Sequence, residues 1–198
     1  LKFKRIAIAV AAYCIIIFIL LLFDRTLNNF NRALYSSFYT TIEYVAFSYI
    51  ISEIIQQRKI RVLIFFLSIL FVLFEIYYYF SGNIKYIDSI PIGVETILIL
   101  LYTLYLFYEQ FQKIETAYIY NSYWFWLVIG IVFYLSTSFF FNILANNNYR
   151  TARQWWHLTY IFEIIKNVLF VIGLISFSKK HSDNNKNSAS IPYLDMML

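Results

Sequence analysis

The sequence predicts an all-α polytopic transmembrane bundle with six visible spans, and three observations predict it. Hydrophobic residues make up 61% of the 198-residue chain and charged residues 14%, against about 25% charged in soluble domains. The apolar residues gather into runs of about 20, the length at which a helix crosses hydrocarbon. None of these runs alternates with period two, as the strands of a membrane barrel do. A soluble chain of this size could not hide so much apolar surface.

The first span is 6–23. Lys2, Lys4 and Arg5 precede it; the apolar run is longer than a signal-peptide core and has no A-x-A-like exit, so a retained helix is expected. Ala7 and Ala11 form a small-xxx-small pair that offers a packing face. The chain begins with Leu1, not Met, so a trimmed or incomplete N-terminus is expected. Asp24–Leu34 is a polar loop. The second span, 35–55, holds Glu43 and Glu53, and a basic turn with Arg58, Lys59 and Arg61 follows. The third span, 60–80, carries Glu75 and ends in Tyr77, Tyr78 and Tyr79, as an aromatic belt does.

Pro91 opens the fourth span, 92–111, at a first helical turn, where its missing N–H costs nothing. Glu95 follows just inside. The fifth span, 123–143, starts with Trp124 and Trp126 and contains Ser136, Thr137, Ser138 and Asn142. The sixth, 155–177, carries Glu163, Lys166 and Asn167 near its middle. Residues 1–178 thus form one bundle, and 179–198, rich in Ser and Asn, is expected to be a disordered cytoplasmic tail. The tryptophans at the span starts are expected to anchor the chain at the interface.

Lys and Arg near the span ends set the orientation. Ten lie on the side of the N-terminus (Lys2, Lys4, Arg5, Arg58, Lys59, Arg61, Lys113, Lys179, Lys180, Lys186) and five on the other (Arg25, Arg32, Lys85, Arg150, Arg153). Both visible termini are therefore expected in the cytoplasm. The formal charge of +5 sits in these short flanking clusters, which mark topology and give no face for nucleic acid. The lipid bilayer is the partner the composition demands; oligomeric state is not legible.

The chemistry of common enzymes is missing from the sequence. It has two histidines, one cysteine, Cys14, and four glycines. No metal-ligand spacing, no phosphate-cradling glycine loop and no nucleophile elbow occur. No cofactor is expected, and the reading leans away from an enzyme.

What remains is charge where hydrocarbon makes it costly, which is a functional hypothesis by default. Glu43 lies eight residues from the outer end of its span, roughly 12 Å deep at 1.5 Å per residue. Glu95 is shallower, and Glu163 and Lys166 are near mid-span. On the second span Ser36, Thr40, Glu43 and Phe47 share one face, and on the sixth Thr159, Glu163, Lys166 and Phe170 do. If the faces converge they line an outward-facing polar pocket floored by Lys166 and rimmed by Arg25, Arg32, Arg150 and Arg153, a rim that would favour an anionic or polar solute. Thr40, Glu43, Glu95, Ser136, Glu163, Lys166 and Asn167 are its candidate residues. The bland alternative is a Glu163–Lys166 pair within one helix, serving packing alone. Glu53 and Glu109, beside basic residues at the inner edge, are expected to be solvated.

Four stretches carry a family resemblance: TTIEYVAFSYII (Thr40–Ile51), PIGVETILILLYTLYLFYE (Pro91–Glu109), FWLVIGIVFYLSTSFF (Phe125–Phe140) and IIKNVLFVIGL (Ile164–Leu174). They resemble a group of uncharacterised multipass membrane proteins of Bacteroidota-type bacteria. The resemblance implies about seven helices in the full-length protein, one of them preceding Lys2, and a bacterial cytoplasmic (inner) membrane. It singles out Glu43, Glu95, Trp126, Lys166 and Asn167. It implies no activity. The function expected from the residues is that of a sensor or signalling membrane subunit with a separate cytoplasmic partner. A small proton- or ion-coupled transporter is the alternative, and a lipid-modifying enzyme the second.

Overall fold

A computed structural model describes residues 2–24, 29–81, 89–112, 122–147, 154–155 and 157–189. These form six helices: α1 (Lys2–Asp24), α2 (Asn29–Ile54), α3 (Arg58–Phe80), α4 (Ser89–Phe111), α5 (Tyr123–Asn147) and α6 (His157–Ala189). Among the described residues there is no strand. Five helices, all but α2, contain stretches long and apolar enough to cross a membrane. Their surfaces show why. Ile8, Ile15, Phe18, Phe65, Phe66, Leu104, Ile164 and Val171 are all exposed, far more apolar surface than a water-facing protein of this size presents.

The helix without such a stretch is at the centre. α2 packs on α1, α3, α4 and α5, and its polar side chains Thr40, Glu43 and Ser48 are buried. Its exposed stripe is apolar: Leu34, Phe38, Val45 and Tyr49. Helical periodicity thus turns one apolar face outward and the polar faces into protein, where partners are available.

The α1 face that packs is Ile6, Val10, Tyr13 and Ile17, all buried and repeating every three or four residues. Ala11, by contrast, is exposed, so the Ala7–Ala11 pair is not the packing face. The long branched and aromatic side chains bury more area per contact than two alanines would. α5 and α6 lie close together because Gly173 permits it. A Cβ there would stand 2.9 Å from the Tyr123 carbonyl oxygen. Gly130 does the same from the other side, with Leu169 Cβ at 3.2 Å from its virtual Cβ.

The half of the bundle toward the α2–α3 turn is filled by Phe47, Ile50, Ile51, Leu106, Leu127 and Ile131, all essentially inaccessible. Trp124 is among the buried residues, at 7% exposure, edge-on to Phe107. It is a packing residue, not the interfacial anchor expected of it; Trp155, at 52%, is exposed.

Several boundaries differ from expectation: α2 begins at Asn29, inside the stretch Asp24–Leu34 expected to be a loop, and α5 runs on to Asn147, past the expected end of the fifth span. α6 runs on to Ala189, so the first part of the expected tail is helical. Propagating a helix already nucleated costs far less than starting one, and no proline intervenes before Pro192. Residues 190–198 lie outside the described residues. The turn between α2 and α3 is very short, spanning 55–57. Its free N–H groups are held by Glu109, which accepts from Gln56 N (3.0 and 3.1 Å) and Gln57 N (3.0 Å). Glu109, expected only to be solvated, caps that turn. Tyr105 adds a hydrogen bond from its hydroxyl to Gln57 Oε1.

Candidate functional site

Lys166 is fully buried. Its position on α6, one turn from Phe170 and two from Gly173, places it on the stripe that faces the bundle. Its Nζ donates to the Tyr13 hydroxyl at 2.5 Å. Tyr13 in turn donates to Glu43 Oε1 at 2.6 Å. Nζ lies 3.6 Å from the same Oε1 and 4.0 Å from Glu163 Oε1. The shorter ion pair therefore joins α6 to α2, not Lys166 to its own helix. Aromatic faces complete the enclosure: Nζ is 4.0 Å from the ring centre of Tyr134 and 4.8 Å from that of Tyr13. A ring face attracts a cation most strongly where water is excluded.

Glu43 accepts a second hydroxyl, Tyr134 OH, at Oε2 (3.2 Å). Tyr39 OH lies 3.2 Å from Tyr134 OH. Because Tyr134 spends its only proton on Glu43, Tyr39 is the donor of that last bond. The result is a continuous chain, Tyr39 to Tyr134 to Glu43 from one end and Lys166 to Tyr13 to Glu43 from the other. It ties α1, α2, α5 and α6 at one level. Both hydrogen-bond chains converge on the two oxygens of Glu43.

Above this level the helices part around a half-enclosed cavity of about 360 Å³. It lies at the end of the bundle where α1 and α5 finish and α2, α4 and α6 begin. Ser36, Thr40 and Glu43 line it from α2, and Thr159 and Glu163 from α6. Glu95 lines it from α4, and Tyr134, Ser138 and Asn142 from α5. Glu95 is 1% exposed, and its Oε1 has no hydrogen-bond partner among the described residues.

The structure thus brings four of the seven candidates, Thr40, Glu43, Glu95 and Glu163, to one cavity wall. Lys166 touches Glu43 but does not border the cavity. Glu43 and Tyr134 form the floor, and Lys166 is sealed behind them, because the space it fills is already closed by Tyr13, Phe47 and Phe170. Ser136 and Asn167 do not line the cavity. On α5 the lining face runs through Tyr134, Ser138, Phe141 and Asn142, and Ser136 is half a turn away from it. On α6 Asn167 is a quarter-turn past Lys166 and only half-buried. Arg25, Arg150, Arg153 and the side chain of Arg32 lie outside the described residues.

The tyrosines are what the sequence reading missed. Tyr13, Tyr39 and Tyr134 supply the hydroxyls of the network, and none was a candidate. One signal was present: Tyr13 sits mid-span, away from any interface, and a buried tyrosine hydroxyl needs a partner. A second carboxyl also has a partner outside the cavity. Glu75 on α3 is 3% exposed and accepts from Ser37 Oγ at 2.8 Å.

Among the described residues no three of His, Cys, Asp or Glu are placed to hold a metal ion. No family model, curated protein or solved structure matches this chain.

Proposed function

We propose that this membrane protein is the ligand-binding subunit of a sensor. The cavity faces outward, takes a small polar solute, and reports occupancy through the helices to a separate cytoplasmic partner. The observation that carries the reading is the double membership of Glu43. Its carboxylate is part of the cavity wall and is also the counter-charge of Lys166. A solute that draws on Glu43 must therefore change the forces on α1, α5 and α6 at once, since Tyr13, Tyr134 and Lys166 hang on the same two oxygens. The volume, near the lower end of the roughly 300–1,000 Å³ of ligand sites, suits a small molecule. The filled inner half below Glu43 favours a receptor over a conduit.

The test has two parts. In a Cys14→Ser background, Ser138→Cys and Ile131→Cys are exposed to a membrane-impermeant thiol reagent on intact cells. Labelling of the first and not the second is expected. Small polar solutes are then screened for thermal stabilisation of the purified protein. A solute that stabilises wild type and fails on Glu43→Gln supports the reading. An unlabelled Ser138→Cys refutes the outward cavity. Uptake of the stabilising solute into proteoliposomes refutes the sensor in favour of a carrier.

A further inference from the structure

We infer that the cavity is an ammonium site, in which Glu95, with Glu43 and Glu163 across from it, receives the cationic end of a small organic amine. The inference rests on the binding-cavity reading above and names its ligand class. Glu95 carries it. Its carboxyl is almost wholly removed from water, borders the cavity, and leaves Oε1 without a hydrogen-bond partner among the described residues. Buried polar atoms in native proteins are nearly always paired, and an exception calls for a ligand, a water or an ion.

The local charges specify which ligand. Three carboxyls, those of Glu43, Glu95 and Glu163, line the cavity from α2, α4 and α6. Lys166 is already held by Tyr13 and Glu43. The cavity side of the cluster therefore presents carboxyl oxygens and, among the described residues, no cation in its lining. Carboxyls that ionise repel an anion, and their charge offers a neutral solute little. A cation is drawn to them and favours their ionised forms.

The shape narrows the cation further. A bare metal ion fits poorly, since no three carboxyl or imidazole groups converge within ligand range among the described residues. The space, about 360 Å³, also far exceeds one ion. An alkylammonium offers N–H donors that match Glu95 and the hydroxyls of Thr40 and Ser138, while the tyrosine and phenylalanine walls accept its carbon body and its charge. A bound ammonium also competes with Lys166 for Glu43, which gives occupancy a direct effect on α6.

The amine has two sources: a free solute, or the headgroup of an aminophospholipid entering from the leaflet. The experiment uses the full chain in nanodiscs of phosphatidylglycerol, with binding followed by saturation-transfer NMR. The probes are three near-isosteres: ethanolammonium, ethylene glycol and glycolate. Ethanolammonium is expected to bind at least tenfold more tightly than the other two. Glu95→Gln is expected to weaken it tenfold or more. Glu75→Gln, a buried carboxyl outside the cavity wall, should change it less than twofold. The probe series on wild type tests the inference even if Glu95→Gln does not fold. Displacement of ethanolammonium by phosphatidylethanolamine in the disc identifies a headgroup ligand, and no displacement a soluble amine; either supports the site. Equal or tighter binding of ethylene glycol or glycolate overturns the ammonium site and leaves the cavity reading intact. So does failure of all three probes while Ser138→Cys still reacts. Failure of all three together with an unreactive Ser138→Cys removes both.

Discussion

Replacing Lys166 by methionine isolates the charge at the centre of the site. Methionine keeps most of the length and apolar volume of the lysine stem, so the packing between Phe47, Tyr134 and Phe170 loses little. What goes is the ammonium, 3.6 Å from Glu43. At an effective dielectric constant of about 20, two unit charges at that distance attract by about 5 kcal/mol. Removing one member of a buried pair costs about 3–5 kcal/mol, because the other is left uncompensated. Glu43 keeps its hydrogen bonds from Tyr13 and Tyr134, which places Lys166→Met toward the lower end of that range. The second arm is Glu43→Gln, and the third is the double variant, in which no buried charge of the pair is left stranded. The double variant should be less destabilised than the sum of the singles by about 2–3 kcal/mol. Reversible unfolding in mixed micelles, titrated with SDS and followed by tryptophan fluorescence, measures all three. If the singles add within about 0.5 kcal/mol, Glu43 and Lys166 do not interact as charges, and the link from cavity to helices has no basis.

Three further outcomes are expected. Tyr134→Phe keeps the ring beside Lys166 but loses the hydroxyl shared by Glu43 and Tyr39. It should cost about 1–2 kcal/mol in the same unfolding assay, and a stability equal to wild type would show that Glu43 does not depend on Tyr134. Gly173→Ala puts a methyl 2.9 Å from the Tyr123 carbonyl oxygen. The strain should destabilise by about 1–3 kcal/mol, and cross-linking between α5 and α6 should slow; unchanged stability would mean the two helices separate at no cost. Glu109→Ala removes the acceptor for Gln56 N and Gln57 N. Their amide exchange should quicken by an amount equivalent to about 1 kcal/mol, while unchanged exchange would mean water caps the turn equally well.

The helical class, and to within a few residues most helix positions, were legible because lipid imposes helices locally. An apolar run must satisfy its own backbone, so length and composition suffice to place it. The charges that matter were legible for the same reason: Glu43, Glu95 and Lys166 stand out against hydrocarbon wherever they point. Even here composition misled at Trp124, which is buried although it begins a span.

Partner choice was a different matter. Spacing along α6 offers Lys166 a carboxylate at Glu163, yet the nearer oxygen belongs to Glu43, from a helix more than a hundred residues earlier. Ser136 and Ser138 are equally polar neighbours in the chain, and only Ser138 borders the cavity. Tyr13 and Tyr134 read as ordinary membrane tyrosines until α1 and α5 bring their hydroxyls to one carboxylate. Local sequence dictates that a helix forms and how polar it is. Its rotation about its own axis, and hence which side chains meet, is set by steric fit with neighbours distant in the chain, such as the close approach of α5 to α6 at Gly173. The bundle belongs to the first kind of information, and the Lys166–Tyr13–Glu43 cluster with the cavity above it to the second.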